Sequence, residues 1–302
     1  MLSSTSRTRL AWTAVAATAA LTLTACGSGS DAGSSSTAGE DDGPIRIGVV
    51  GASDDKWAVF TEQAEAEGLD VELVDLQDYT QANPAVSQGE LDVNQFQHLQ
   101  FLAGYNVDSG DDLQPIGATA VYPLALYSTK HDSLDAIPEG GQVAIPNDPT
   151  NLARSLLVLQ EAGLVELKDG GSSLSTEADV LPSSKVTVTP VAAEQTPIQL
   201  QSVDASIINN DFVEDAGLTP EDALFEDDPD SDAAKPYINV WVTTAENADD
   251  EDLAKLVEIS HSPEVVEAEE QASGGTAVIK DNSAEELQEI LAGIEADLRG
   301  QS

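Results

Sequence analysis

Apolar positions along this chain alternate between strand-like runs and helix-like spacing. Residues 45–50 form a β-rich run, a turn of small residues follows, and residues 54–67 carry helical spacing closed by Gly68, before a second β run at 71–76. Strand, helix and strand in that order predict a parallel sheet with helices packed on it. The pattern continues with a short run at 91–93, a helix from about His98 to Tyr105, a strand at 113–118 and a long apolar run at 121–128. It then starts afresh. A strand at 142–145 leads into a helix at 149–162, where Asp148 caps the start and Pro149 suits the first turn. Strands at 186–191 and 205–208 follow, with a helical stretch at 194–203 between them, and residues 237–242 read as a further strand. Helical spacing resumes over 249–260, 263–272 and 283–299. Two α/β sets, with long strands at the changeovers near 125 and 237, predict two lobes crossed twice by the chain, a body that closes like a hinge on a ligand. The expected limits are 44–124 plus 236–302 for one lobe and 125–235 for the other.

The N-terminal end breaks this pattern. Arg7 and Arg9 precede an apolar stretch at 10–23 and then Leu23-Thr24-Ala25-Cys26-Gly27. The stretch is shorter and smaller-residued than the roughly 20 strongly apolar residues a membrane span needs, so residues 1–25 read as a removable export signal. Cys26 stands where a signal peptidase would cut, and its thiol would then carry a diacylglycerol thioether. Residues 26–43 are rich in Ser, Gly, Asp and Ala without apolar periodicity, the composition of a disordered tether. One acyl chain holds a protein at a bilayer only marginally, whereas a diacyl group holds it durably. Cys26 is the sole cysteine, so no intramolecular disulfide is available to the secreted body.

Charge narrows the partners. The chain has 12 Lys and Arg against 55 Asp and Glu, a formal net charge of −43, which excludes nucleic acid. We read the acidity as a solvated surface suited to salty surroundings rather than an acidic site. The tract Asp228-Pro229-Asp230-Ser231-Asp232 starts like a calcium loop, but Ala233 stands where the loop needs Gly and Asn239 where it needs Glu. His98, His131 and His261 have no second ligand near them in sequence, so no zinc site and no cofactor are expected.

A small-molecule cleft for an amino acid must satisfy a carboxylate, an ammonium and an apolar side chain, because either charge is costly to bury unpaired. Arg is the best carboxylate partner, since its planar fork offers two parallel donors. Beyond the signal only Arg46, Arg154 and Arg299 remain. Arg154 lies three residues after Asn151, on one face of the helix opened by Asn147-Asp148-Pro149-Thr150, whose first-turn N–H groups and dipole favour an anion. A solvated surface arginine is the alternative reading.

Several short blocks in order make the chain resemble the methionine-binding lipoproteins of ABC importers, the NlpA or MetQ family, from about residue 45 to 279. They are Asp78-Tyr79 with Asn83, Asn94-Gln95-Phe96-Gln97-His98, Val121-Tyr122-Pro123-Leu124, the run from Val143 to Asn151 with Arg154, Ile207-Ile208-Asn209, and Pro236-Tyr237-Ile238-Asn239. The resemblance implies a two-lobed periplasmic-binding-protein-like fold of type II with the ligand between the lobes. It implies that Arg154 takes the ligand carboxylate with Asn151 beside it, that Asn209 and Asn239 bond the ammonium and carboxylate ends, and that Tyr79, Phe96, His98 and Tyr122 wall the thioether. Polarizable sulfur favours such aromatic contact. It further implies a non-enzymatic receptor, lipid-anchored on the outer face of the membrane, whose partners are L-methionine, an ABC permease and its ATPase.

The chain departs from the family pattern at Leu99-Gln100-Phe101, where Lys-Pro-Tyr is common, at Ala120, where an aromatic is common, and at Asn210, where Thr is usual. These positions bear on the side-chain pocket, leaving another small amino acid, a methionine derivative or a methionine-containing dipeptide as alternative ligands. A secreted hydrolase lacks the Gly-x-Ser-x-Gly elbow here, and a surface adhesin would not need the Arg154, Asn209 and Asn239 set. The helical tail beyond residue 279 has no function assigned by its sequence.

Overall fold

The protein is described here by a computed structural model covering residues 43–301. The expected signal, Cys26 and nearly all of the tether lie outside the described residues. The elements in order are β1 (Ile45–Val49), α1 (Asp55–Ala66), β2 (Val71–Asp75), α2 (Ala82–Ser87), β3 (Val93–His98), α3 (Leu99–Ser109), β4 (Leu113–Ala118), β5 (Ala120–Val121) and β6 (Ala125–Tyr127). There follow β7 (Gly141–Pro146), α4 (Pro149–Glu161), β8 (Val186–Val191), α5 (Thr196–Gln199), β9 (Ala205–Ile208), β10 (Phe225–Glu226) and β11 (Asn239–Thr244). The chain ends with α6 (Glu251–Ser260), α7 (Pro263–Ala272), β12 (Val278–Ile279) and α8 (Ala284–Gln301).

Two five-stranded sheets carry the body, in the orders β2-β1-β3-β11-β4 and β10-β6-β9-β7-β8. The chain passes from the first to the second between β5 and β6 and returns between β10 and β11, so it crosses twice, as the hydrophobic pattern predicts. The sheets are mixed rather than parallel throughout. β1 runs parallel to β2 and β3, but the returning β11 inserts antiparallel between β3 and β4, with a bulge at Val240/Trp241. In the second sheet β7 is parallel to β8 and β9, whereas β6 is antiparallel to β9 and β10. A strand that arrives by crossover from the other sheet enters from the opposite end, and local strand-helix-strand order carries no trace of that.

Three further differences from the pattern have local causes. The run at 121–128 is not one strand, because Tyr122-Pro123-Leu124 interrupts it and Pro123 offers no N–H to a ladder. The outgoing strand β6 is left with three residues, and the return strand keeps six but begins only at Asn239, because Tyr237 lies in a 3-10 turn. The stretch 194–203 is a 3-10 turn followed by the four-residue α5, shortened around Pro197.

β3 is the most instructive miss. Its sequence, Val-Asn-Gln-Phe-Gln-His, reads as too polar for a strand beyond Val93, yet all six residues are buried. Their amides satisfy one another: Asn94 Nδ2 donates to Asn83 Oδ1 (3.0 Å), Asn83 Nδ2 to Gln97 Oε1 (2.8 Å), and Gln97 Nε2 to Asn94 Oδ1 (2.8 Å). Buried polar groups are tolerated when paired in this way. His98 ends the strand and caps α3, its Nδ1 accepting from Phe101 N at 3.1 Å, and Gly110 closes that helix in the left-handed region (φ 77°).

The tail is part of the first half's core. Leu287 and Leu291 of α8 are buried in the cluster that holds Leu102 of α3 and Leu113 of β4, and Glu295 Oε1 accepts from Asn106 Nδ2 at 2.9 Å.

Candidate functional site

Helix α4 begins as its sequence dictates. Asp148 is extended (φ −64°, ψ 142°) and its Oδ1 accepts from Asn151 N at 2.9 Å, while Pro149 occupies the first turn, where its missing N–H costs nothing. This fixes Asn151 and Arg154 on the helix face turned toward the junction of the two sheets, both buried there.

Around them lies a cleft of about 400 Å³ of empty space, counted to its open mouth. Tyr79, Phe96, His98, Tyr122, Asn151, Arg154, Asn209 and Asn239, the eight residues expected to touch a ligand, all line it. His98 ends β3, Asn209 follows β9 and Asn239 opens β11, so three of them sit at or beside strand ends, while Phe96 lies within β3, Tyr79 in the turn after β2, and Asn151 and Arg154 on α4. Ligand sites in open α/β sheets gather at such ends.

The polar end of the cleft is an ordered network. Arg154 is clamped by a residue that sequence reasoning missed, Asp227, through Nε to Oδ2 (2.7 Å) and Nη2 to Oδ1 (3.0 Å). Its Nη2 also donates to the Tyr122 carbonyl (2.9 Å), and its guanidinium carbon lies 4.1 Å from the Tyr237 ring centroid. The two-donor fork is therefore occupied by the protein itself, and Nη1 is the guanidinium nitrogen with no hydrogen bond among the described residues. Asn151 Nδ2 donates to both oxygens of Asp148 (3.1 and 3.0 Å), and Asn151 Oδ1 accepts from Asn209 Nδ2 (3.2 Å). Asn209 Oδ1 is buried with no partner. An orphaned acceptor of this kind costs about 1 to 3 kcal/mol unless a ligand satisfies it.

His98 is held neutral. Burial, and then the positive charge of Arg154, push its pKa down to about 3. Because Nδ1 accepts from Phe101 N, the proton resides on Nε2, 3.4 Å from Asn151 Oδ1. Asn239 is positioned by its carbonyl, which accepts from Thr119 N at 2.9 Å.

The other end is aromatic. Ring centroids of Tyr79 and Phe96 are 5.6 Å apart, Phe96 and Phe101 5.6 Å, and Tyr79 and Phe212 5.4 Å. Burial raises the Tyr79 and Tyr122 hydroxyls well above their ordinary range, so both stay protonated as donors. Nor does the sequence single out Phe101 or Asp211 as cleft residues, and Tyr237, whose ring lies over Arg154, enters only as part of a motif block. Phe101 was noted as a departure from the family pattern; Asp227 and Asp211 are two acidic residues among 55 and carry no signal of their own.

Ser128, His131 and Asp204 meet without the geometry of a hydrolytic triad. His131 Nε2 pairs with Asp204 Oδ1 (3.0 Å), but Ser128 Oγ donates to the Asp204 carbonyl and accepts backbone N–H groups, so the imidazole cannot deprotonate it. His261 Nε2 meets the Ala118 carbonyl. Among the described residues no three His, Cys, Asp or Glu side chains converge as metal ligands.

Two mixed sheets crossed twice by the chain, with one enclosed cleft polar at one end and aromatic at the other, form the two-lobed α/β body of a solute-binding protein. Residues 45–280 match the model of the NlpA lipoprotein family, and the chain belongs to that family. The D-methionine-binding lipoprotein MetQ of Salmonella typhi is 41% identical over 245 residues, covering 79% of this chain and 89% of that protein. Among solved structures, the methionine binding protein MetQ is 41% identical with a TM-score of 0.74, over 79% of this chain and 98% of that one. A nutrient binding protein from Burkholderia cenocepacia, solved bound to methionine, is 33% identical with a TM-score of 0.72, over 78% and 99%.

Proposed function

We propose that this chain is a lipid-anchored, extracytoplasmic receptor that captures L-methionine or a close analogue and delivers it to an ABC importer. The observation that carries the reading is the pairing, in one cleft, of an unengaged guanidinium nitrogen and an orphaned carboxamide oxygen at one end with an aromatic wall at the other. Arg154 Nη1 would take the carboxylate, Asn209 Oδ1 the ammonium, and Tyr79, Phe96 and Tyr122 the thioether, each sulfur–aromatic contact worth roughly 0.3 to 1.5 kcal/mol. His98, Asn151 and Asn239 complete the wall and orient these groups. Relatives named for methionine binding support the ligand class.

The residues at 1–25 would be removed on export, Cys26 would carry the diacyl group, and 26–43 would tether a body of two lobes, 44–124 with 236–302 and 125–235. The tether keeps the receptor at high effective concentration beside its permease. Calorimetric titration of the full chain in detergent with L-methionine tests the binding step. A stoichiometric heat is expected, and its absence would leave an adhesin-like role in its place. Replacing Cys26 by Ala should leave binding unchanged and release the protein to the medium; retention at the membrane would contradict the anchor.

A further inference from the structure

Asp211 is the one acidic side chain lining the cleft among the described residues, and it has no task in holding the ends or the thioether of the ligand. It stands in the 3-10 turn Asn210–Phe212 after β9, on the second-sheet side. Its Oδ2 accepts from the hydroxyl of Tyr79, on the first-sheet side, at 2.7 Å, and its Oδ1 accepts from Asn210 Nδ2 at 2.9 Å. The bond to Tyr79 places the carboxylate beside an aromatic residue whose ring packs on Phe96 and Phe212. Burial, and to a lesser degree Glu269, push the pKa of Asp211 above the ordinary carboxylate value, whereas Lys56, which pairs with Glu269 Oε2 at 3.2 Å, and the hydrogen bonds from Tyr79 and Asn210 favour the carboxylate. Each carboxylate oxygen has two acceptor sites and only one is used, so the group retains capacity to meet a ligand and has no donor to offer while ionised.

We propose that Asp211 is a specificity-determining residue: held across the cleft by Tyr79, it places negative charge where the tip of the ligand side chain ends, and so rejects ligands whose tip is an acceptor or an anion. This rests on the reading of the cleft as a site for methionine-class amino acids, and it separates members of that class. A methyl thioether ends in a neutral, weakly positive methyl group that a carboxylate tolerates. A methyl sulfoxide has nearly the same shape but carries a strongly negative oxygen, and in a buried site such a contact is little screened. The Tyr79 hydroxyl, already given to Asp211, is not free to bond that oxygen, and the Tyr122 hydroxyl is engaged by Glu269.

The test is calorimetric titration of the full chain in detergent with L-methionine and with L-methionine sulfoxide, on wild type, Asp211→Asn and Asp211→Ser. Wild type is expected to bind the sulfoxide at least about tenfold more weakly. In Asp211→Asn, whose amide nitrogen can donate to the sulfoxide oxygen while its carbonyl still accepts from Tyr79, the ratio should shrink to about threefold or less. Asp211→Ser gives the same comparison if the Asn variant does not fold. Equal affinity of wild type for the two ligands overturns the proposal without any variant, and so does an unchanged ratio in a folded variant. Failure of wild type to bind either ligand would instead sink the methionine reading beneath it.

Discussion

Arg154 is locked in place before any ligand arrives, and this shapes what its loss should do. Asp227 and Tyr122 hold one edge of the guanidinium and Tyr237 stacks on its face, so only Nη1 remains for a carboxylate. Arg154→Ala should weaken methionine binding by about 2 to 5 kcal/mol, since it strands a buried ligand charge; calorimetry checks this, and an unchanged affinity would refute the assignment. Asp227→Ala should lower both affinity and stability, by an amount between the ~1 kcal/mol of an exposed pair and the ~3 to 5 kcal/mol of a buried one. His98 gives a pH signature. Its folded pKa is pushed down to about 3, so between that value and its ordinary value near 6.5 the unfolded chain binds the extra proton. Its stabilising contribution is complete above about pH 6.5 and is lost as pH falls toward 3, by roughly 1.4 kcal/mol per pH unit within that window. Denaturant midpoints of wild type should therefore fall more steeply from pH 6 to pH 4 than those of His98→Asn. The sequence marked Arg154 because so few arginines compete with it, and the aromatic wall because aromatics make up only 4% of the chain. It did not mark Asp227, whose pairing depends on the return crossing bringing residue 227 beside helix α4.

At the scale of elements, strong local signals and long-range pairing diverge. The start of α4, the strands β8 and β9 and helix α7 follow their sequence closely, because the Asp148-Pro149 cap, the Val/Thr and Ile runs and Pro263 in a first turn act locally. β3 extends beyond Val93, contrary to what its polarity suggests, because Asn83, Asn94 and Gln97 satisfy one another beside and inside the sheet. The antiparallel insertion of β11 was equally illegible, since sheet order is decided by the second crossing. Helix α8 lies beyond the stretch matched to the family, yet it covers α3 and β4. Leu287→Ala should cost about 2 to 5 kcal/mol in chemical denaturation, as for other fully buried leucines. A loss below 1 kcal/mol would mean the tail is an appendage rather than core.

Over the whole molecule the dominant fact is charge. With a net formal charge of −43, self-repulsion opposes compaction, and salt screens it. Thermal melting should shift upward with added NaCl; no shift would count against the solvated-surface reading. Asp54 shows the effect locally, since burial first and then Asp211, Glu214 and Asp215 push its pKa up to about 6 despite Lys56. A carboxyl raised in this way takes up a proton on folding between about pH 4 and 6, so its unfavourable contribution is present at neutral pH and is relieved as pH falls through 6. Asp54→Asn should thus stabilise the protein at pH 7 and lose that advantage below about pH 4. Two-lobed architecture is legible from the doubled α/β pattern and the motif blocks, whereas the charge arrangement at the cleft depends on which acidic residues the long-range fold brings together. The central claim is that one cleft holds an amino acid by its ends at Arg154 and Asn209 and by its side chain among Tyr79, Phe96 and Tyr122. A crystal structure of the complex with L-methionine tests it most directly: the carboxylate is predicted on Arg154 Nη1, the ammonium on Asn209 Oδ1 and the sulfur against the aromatic rings. A ligand bound outside this cleft, or one whose carboxylate avoids Arg154, would contradict the account.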